Sequence, residues 1–146
     1  MSLSLIRTVR TALADPHTIP GRLAAAHRAL EVLETAVHDL AFLDPDPPLL
    51  FWTTVHSDAV RARAALAGAR SLPSPAGRPP ATVALGAEEP ATVIAALLEL
   101  AEALVLHLVE AANATRHDGD KACCLHAALI THELTTSLRN ASHEHR

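Results

Sequence analysis

Aromatic residues and lysine are scarce in this chain of 146 residues, which has no tyrosine, one tryptophan and a single lysine, Lys121. Strands are normally rich in aromatic and β-branched residues, whereas alanine and leucine favour helices. The Ala- and Leu-rich composition therefore predicts an all-α protein. The shortage of aromatic rings also leaves little surface on which the bases of single-stranded nucleic acid could stack.

Clusters of basic residues are missing as well. The formal net charge is −4 with histidine neutral, whereas nucleic-acid binding normally needs a basic surface that displaces counterions. We therefore expect no nucleic-acid partner.

The chain also lacks features of secreted and membrane proteins. Its two cysteines, Cys123 and Cys124, are adjacent and poorly placed to bridge each other, as expected in a reducing compartment. The N-terminus has no long apolar core of the kind found in secretory signals. The most apolar stretch, residues 91–112, is interrupted by three glutamates and a histidine, so we expect no membrane span of roughly 20 residues. A cytoplasmic location is expected.

Apolar residues recur with helical period in five segments. The pattern predicts a short helix over about residues 4–14 and longer helices over about 18–43, 46–70, 90–116 and 121–140. Thr18 is a candidate N-cap, with Pro20 in the first helical turn. The Pro-rich stretch 71–89 reads as a loop long enough to follow a whole helix, so up-and-down order and a long crossover both remain open.

The predicted architecture is a single domain, residues 1–146, built as a four-helix bundle with a short additional N-terminal helix. Residues 141–146 are predicted to be a frayed tail. On the first long helix, the predicted core face carries five aliphatic residues: Leu23, Leu30, Leu33, Val37 and Leu40.

Ionisable residues fall on predicted inner faces when each helix is projected at about 100° per residue. His126 and Glu133 lie two turns apart on the last helix, and His56 and Arg63 lie two turns apart on the second long helix. In a water-excluded core such groups must be paired or functional.

The first hypothesis is that His56, His126 and Glu133 converge in the core, with Glu34 as a fourth member, and bind a small ligand or a metal ion. Imidazole and carboxylate groups suit zinc or iron, and bundle cores are common places for such sites. In an enzyme, His56 or His126 would act as the general base and Glu133 would orient it.

Structural explanations stand beside this hypothesis. Glu133 could pair with Arg63, and the histidines could simply be hydrogen-bonded in the core. Cys123 could be a nucleophile near a helix N-terminus or a small core residue. The same choice applies to one edge of the first long helix, where intrahelical pairs and a polar groove are both possible for the column His27, Glu31, Glu34 and His38.

Familiar catalytic motifs are absent. No glutamate is followed three residues later by histidine, as in di-iron bundles, and His132-Glu133 lacks the second histidine of a zinc-protease helix. No reaction or substrate is therefore predicted. The competing hypothesis is a non-catalytic homodimeric interaction protein that uses the N-terminal helix and exposed apolar residues such as Leu106, Phe51 and Phe42.

Overall fold

A computed structural model describes residues 2–15, 18–43, 49–74 and 88–144. Within these ranges the chain forms five α-helices and no strand, which confirms the all-α prediction. The helices are α1 (Ser2–Ala12), α2 (Ile19–Leu43), α3 (Leu49–Ala67), α4 (Pro90–Ala114) and α5 (Asp118–Glu144).

Local sequence signals mark several of the helix ends. The Thr18 hydroxyl accepts a hydrogen bond from the Gly21 N–H at 3.2 Å, which confirms Thr18 as the N-cap of α2. Helix α4 begins at Pro90, whose missing N–H costs nothing at a first helical position. The predicted breaker at residues 44–48 and the central part of the predicted loop, residues 75–87, lie outside the described residues.

Helix α5 continues to Glu144, so four residues of the segment predicted as a frayed tail are helical. Leu138 and Ala141 extend the buried face of the helix by another turn, and Ala141 is only 1% exposed. Burial of this alanine explains why the helix does not fray where its sequence becomes polar. Residues 145 and 146 lie outside the described part of the chain.

The four long helices pack in a ring of neighbours. Helix α2 contacts α3 and α4, α5 also contacts α3 and α4, and α1 packs against α2 and α4. Over the described residues α3 and α4 do not contact each other, so the connection between them joins two helices on opposite corners of the ring. This is the long-crossover order, one of the two alternatives that the sequence left open.

Contacts between helices give their directions. Ser71, just beyond the end of α3, hydrogen-bonds to Asp120 in the first turn of α5, so these helices are antiparallel. His107 near the end of α4 contacts the Arg22 carbonyl oxygen near the start of α2 at 2.8 Å, and these helices are also antiparallel.

The core is built almost entirely from leucine, alanine and other aliphatic side chains around one tryptophan, Trp52. The predicted core face of α2 is confirmed, because all five of its aliphatic residues are 0% exposed. Fully burying a leucine side chain contributes roughly 1.5–3 kcal/mol. Packing of such faces is therefore the main source of stability for these helices.

The sequence predicted no membrane span, but by length and composition helix α4 is long and apolar enough to cross a membrane, which corrects that prediction. The core helix of a soluble protein passes the same test. In this structure α4 buries ten residues of its described length, Leu97, Leu104 and Leu108 among them, against the other helices.

Candidate functional site

The predicted convergence of His56, His126, Glu133 and Glu34 in the core does not occur. His126 and Glu133 are exposed on α5, while His56 on α3 and Glu34 on α2 are partly buried. Gly68, after the end of α3, lies beside the Cys123 sulfur of α5. Because the two helices are antiparallel, this contact places His126 at the level of residue 65 in α3. His56 is nine residues from that level, or roughly 13 Å along the bundle at 1.5 Å per residue. The structure therefore provides no shared site for these two histidines.

The error on α5 came from the choice of its buried face. Thr131 and Thr135 are buried, whereas Leu129 is 59% exposed. Each threonine hydroxyl donates to the carbonyl oxygen four residues earlier in its own helix, at 2.7 Å from Thr131 and 2.8 Å from Thr135. Because these hydroxyls are satisfied locally, the small threonines can enter the core, and the helix turns His126 and Glu133 towards solvent.

The ion pair proposed between Glu133 and Arg63 is also wrong, because Arg63 pairs with Glu34. The Arg63 Nε and Nη2 atoms donate to the two Glu34 carboxylate oxygens at 2.7 and 3.3 Å. This two-point contact joins α3 to α2. Farther along the same edge of α2, the His27 Nδ1 atom lies 3.2 Å from a Glu31 oxygen, so this part of the column forms an intrahelical pair.

The column ends in a small cleft between α2 and α3. Helix α2 contributes His38 and Phe42 to this cleft, and α3 contributes Trp52 and His56. In each helix the histidine and the aromatic residue are four residues apart, so they lie on one helical face. The cleft has a volume of about 130 Å³ and is lined by His38, Ala41, Phe42, Trp52, Thr53 and His56. It is the size of a cavity that holds a benzene molecule, about 150 Å³.

Three ring contacts set the geometry of this α2–α3 cleft. The His38 and His56 ring centroids are 5.8 Å apart, with an angle of 58° between the ring planes. The Phe42 ring lies 5.3 Å from that of His38, and the Phe51 ring meets Trp52 edge-on at 5.1 Å. The two imidazoles therefore face one small volume from two different helices.

Trp52 carries a buried hydrogen-bond donor that has no acceptor within the described residues. Its side chain is 0% exposed, and its indole Nε1, like Arg22 Nε, is a buried polar atom without a hydrogen-bond partner within the described part of the chain. A buried donor without an acceptor costs roughly 1–3 kcal/mol. Such groups are rare in folded proteins, and a bound ligand is one way to satisfy them.

Neither imidazole in the cleft is committed to a partner within the described residues. The nearest carboxylate oxygen to His38 Nδ1 belongs to Asp39, at 3.8 Å, which is longer than a hydrogen bond. No group of three or more His, Cys, Asp or Glu residues in the described ranges could hold a metal ion. The cleft can thus offer the imidazoles of His38 and His56 and the ring of Phe42 to a ligand.

A second polar cluster joins the end of α3 to the start of α5. Asp120 is 0% exposed and accepts hydrogen bonds from the hydroxyl and the N–H of Ser71. The Asp120 N–H donates to His117 Nδ1 at 3.2 Å, so His117 caps α5. Burial together with the charge of Asp120 raises the pKa of the Cys124 thiol to about 11. These contacts fasten the segment after α3 to the first turn of α5.

In two larger surface grooves, several polar side chains already have partners. A groove of about 710 Å³ follows the outer face of α1 and ends at Glu88. The hydroxyls of Thr8 and Thr11 in its wall already donate to carbonyl oxygens of their own helix. A depression of about 240 Å³ lies between α1 and α4, next to Arg10 and His107. Arg10 is paired with Glu99 at 3.1 Å, and His107 contacts the Arg22 carbonyl oxygen.

Sequence reasoning identified His56 as a candidate and placed His38 in the edge column, but it missed the cleft. A signal was present in the sequence. His38 precedes Phe42 by four residues, and Trp52 precedes His56 by four residues, so each pair occupies one helical face.

The chain matches no known protein family, no curated protein and no solved structure.

Proposed function

We propose that α2–α5 form a four-helix bundle, with α1 as an additional N-terminal helix, that binds a small ligand in the α2–α3 cleft. The ring of helix contacts supports the bundle. The rings of His38 and His56, which come from two helices and lie 5.8 Å apart in one cleft, carry the ligand proposal.

The lining indicates the kind of ligand. The Phe42 ring offers aromatic surface to a flat apolar group, while the two imidazoles can donate a hydrogen bond to an acceptor. The volume of about 130 Å³ admits one ring or a few heavy atoms. A small aromatic or carboxylate compound satisfies these conditions better than a nucleotide or a peptide.

The single tryptophan allows a direct test with benzoate as the probe. In a ¹H–¹⁵N NMR spectrum the indole N–H of Trp52 gives one resonance, because the chain has one tryptophan. We expect benzoate to shift this resonance in a saturable way, and we expect His56→Ala to weaken the binding. His126→Ala is the matched control, because it removes an exposed histidine far from the cleft. No shift at millimolar benzoate, or equal weakening by both variants, would contradict the proposal.

A homodimer is the second candidate function, because α4 and α5 expose large aliphatic residues on their outer faces. Leu106 is 66% exposed, Leu129 59% and Leu125 46%. Because most soluble oligomers are symmetric dimers, a second copy of this chain is the occupant we propose for these residues.

Sedimentation equilibrium tests the dimer. We expect a mass of two chains that falls to one chain in Leu129→Glu, whereas Thr8→Glu, at an exposed position on α1, is the control. A monomer at 100 µM would contradict this second function.

A further inference from the structure

We propose that His38 and His56 bind one divalent transition-metal ion in the α2–α3 cleft. This inference rests on the proposed function and names a ligand for the same site. The metal site considered from the sequence used His56 with residues that the structure places elsewhere, whereas His38 is the imidazole that the structure brings to His56.

The separation of the two rings suits a shared ion. Two imidazoles that bind one tetrahedral ion, with metal–nitrogen distances of about 2.0–2.1 Å, place their ring centroids about 5.2 Å apart. Opening the nitrogen–metal–nitrogen angle to about 130° increases that separation to about 5.8 Å. The observed centroid separation of 5.8 Å is therefore compatible with one shared ion.

The surroundings of the rings fit a metal ligand of the imidazole type. The Asp39 carboxylate lies 3.8 Å from Nδ1 of His38, so Nε2 is the ring nitrogen farther from that charge. Two protein ligands leave open positions on the ion for water or for an oxygen of a small ligand.

Imidazole ligands select among metal ions. They suit zinc, copper and nickel, whereas magnesium and calcium prefer oxygen ligands. We therefore expect Zn²⁺, Ni²⁺ and Cu²⁺ to bind and Mg²⁺ not to bind.

The test uses the full chain after chelator treatment, with Zn²⁺ alone as the probe in titration calorimetry. The sequence His143-Glu144-His145 offers a second pair of imidazoles, so all measurements are made with His143→Ala and His145→Ala already introduced. We expect one Zn²⁺ per chain, and we expect Cu²⁺ to quench Trp52 fluorescence with the same stoichiometry.

Variants assign the ion to its ligands. His38→Gln and His56→Gln, which keep a polar side chain at two incompletely buried positions, should each lower the Zn²⁺ affinity by about 10–100-fold or more. His126→Gln is the matched control and should leave the affinity unchanged. Unaltered circular dichroism verifies that each variant is folded. Retained affinity in both cleft variants, or an equal loss in the control, would overturn the inference.

Benzoate binding separates failure of this inference from failure of the proposed function. Benzoate binding to the metal-free chain without any Zn²⁺ binding overturns the metal site and leaves the small-ligand cleft in place. Absence of both overturns both.

Discussion

Replacing Asp120 by asparagine removes one negative charge from a position closed to solvent while keeping the shape of the side chain. The Asp120 carboxylate accepts hydrogen bonds from the hydroxyl of Ser71 and from its N–H, the latter at 3.3 Å. These bonds fasten the segment after α3 to the first turn of α5. No disulfide joins the two helices at this point, because both cysteines are free. We therefore expect Asp120→Asn to lower the free energy of unfolding substantially.

The magnitude follows from the hydrogen bonds that asparagine cannot reproduce. Its oxygen can accept one of the two bonds, but its amide nitrogen is a donor, and the Ser71 hydroxyl must rotate to accept from it. A hydrogen bond to a charged group contributes roughly 1.5–3 kcal/mol, so we expect a loss of about 2–3 kcal/mol in the free energy of unfolding. For a chain of this size, Tm should fall by roughly 5–10 °C.

Urea unfolding followed by far-ultraviolet circular dichroism measures this loss. Asp118→Asn is the matched control, because Asp118 lies in the same helical turn but is exposed. It should cost only its interaction with the helix dipole, about 0.3–1 kcal/mol. A loss in Asp120→Asn no larger than that of the control, at an unchanged dependence on urea, would refute the reasoning.

The same carboxylate predicts a dependence on pH. Burial raises the pKa of Asp120, but hydrogen bonds from Ser71 and from the Arg70 backbone outweigh it, so the pKa lies below the ordinary 3.8. The stabilisation is therefore complete above pH 3.8 and is lost as pH falls through the lower pKa of the folded state. Asp120→Asn should unfold with a weaker dependence on pH in this acidic range than the parent chain.

Three further predictions concern other groups. Burial raises the pKa of Asp58 above 3.8, so stability falls as pH rises through that higher pKa. Urea unfolding should therefore show Asp58→Asn to be more stable than the parent at pH 7, and a lower free energy of unfolding in the variant would contradict this. A double-mutant cycle on Glu34 and Arg63 should give a coupling of about 1 kcal/mol, since both side chains are partly exposed, and a value near zero would contradict the contact. Cys124, with its buried thiol and a pKa of about 11, should react with iodoacetamide at least about tenfold more slowly than Cys123, as measured by mass spectrometry; equal rates would contradict its burial.

Helix positions were well predicted because the signals that determine them are local. The N-cap at Thr18, the start of α4 at Pro90 and the end of α2 at Leu43 follow from side-chain and backbone groups within one or two turns. The aliphatic face of α2 was equally clear, because its large aliphatic residues recur with helical period.

The candidate site was predicted only in part. His56 belongs to the cleft that we propose as the binding site, whereas His126 and Glu133 are exposed on another helix. The edge column contained His38, but only the pairing of α2 with α3 shows that its neighbour is His56 rather than Glu34.

The sequence by itself determined that this protein is helical, where α2 and α4 begin, and which face of α2 is buried, because each depends on interactions within one helix. Tertiary structure alone decided which face of α5 enters the core and which helices are neighbours. Threonine can be buried when its hydroxyl bonds to its own helix, so hydrophobicity did not rank Thr131 and Thr135 above Leu129. Sites between helices depend on the register of two separate segments, and no periodicity within either segment contains that register.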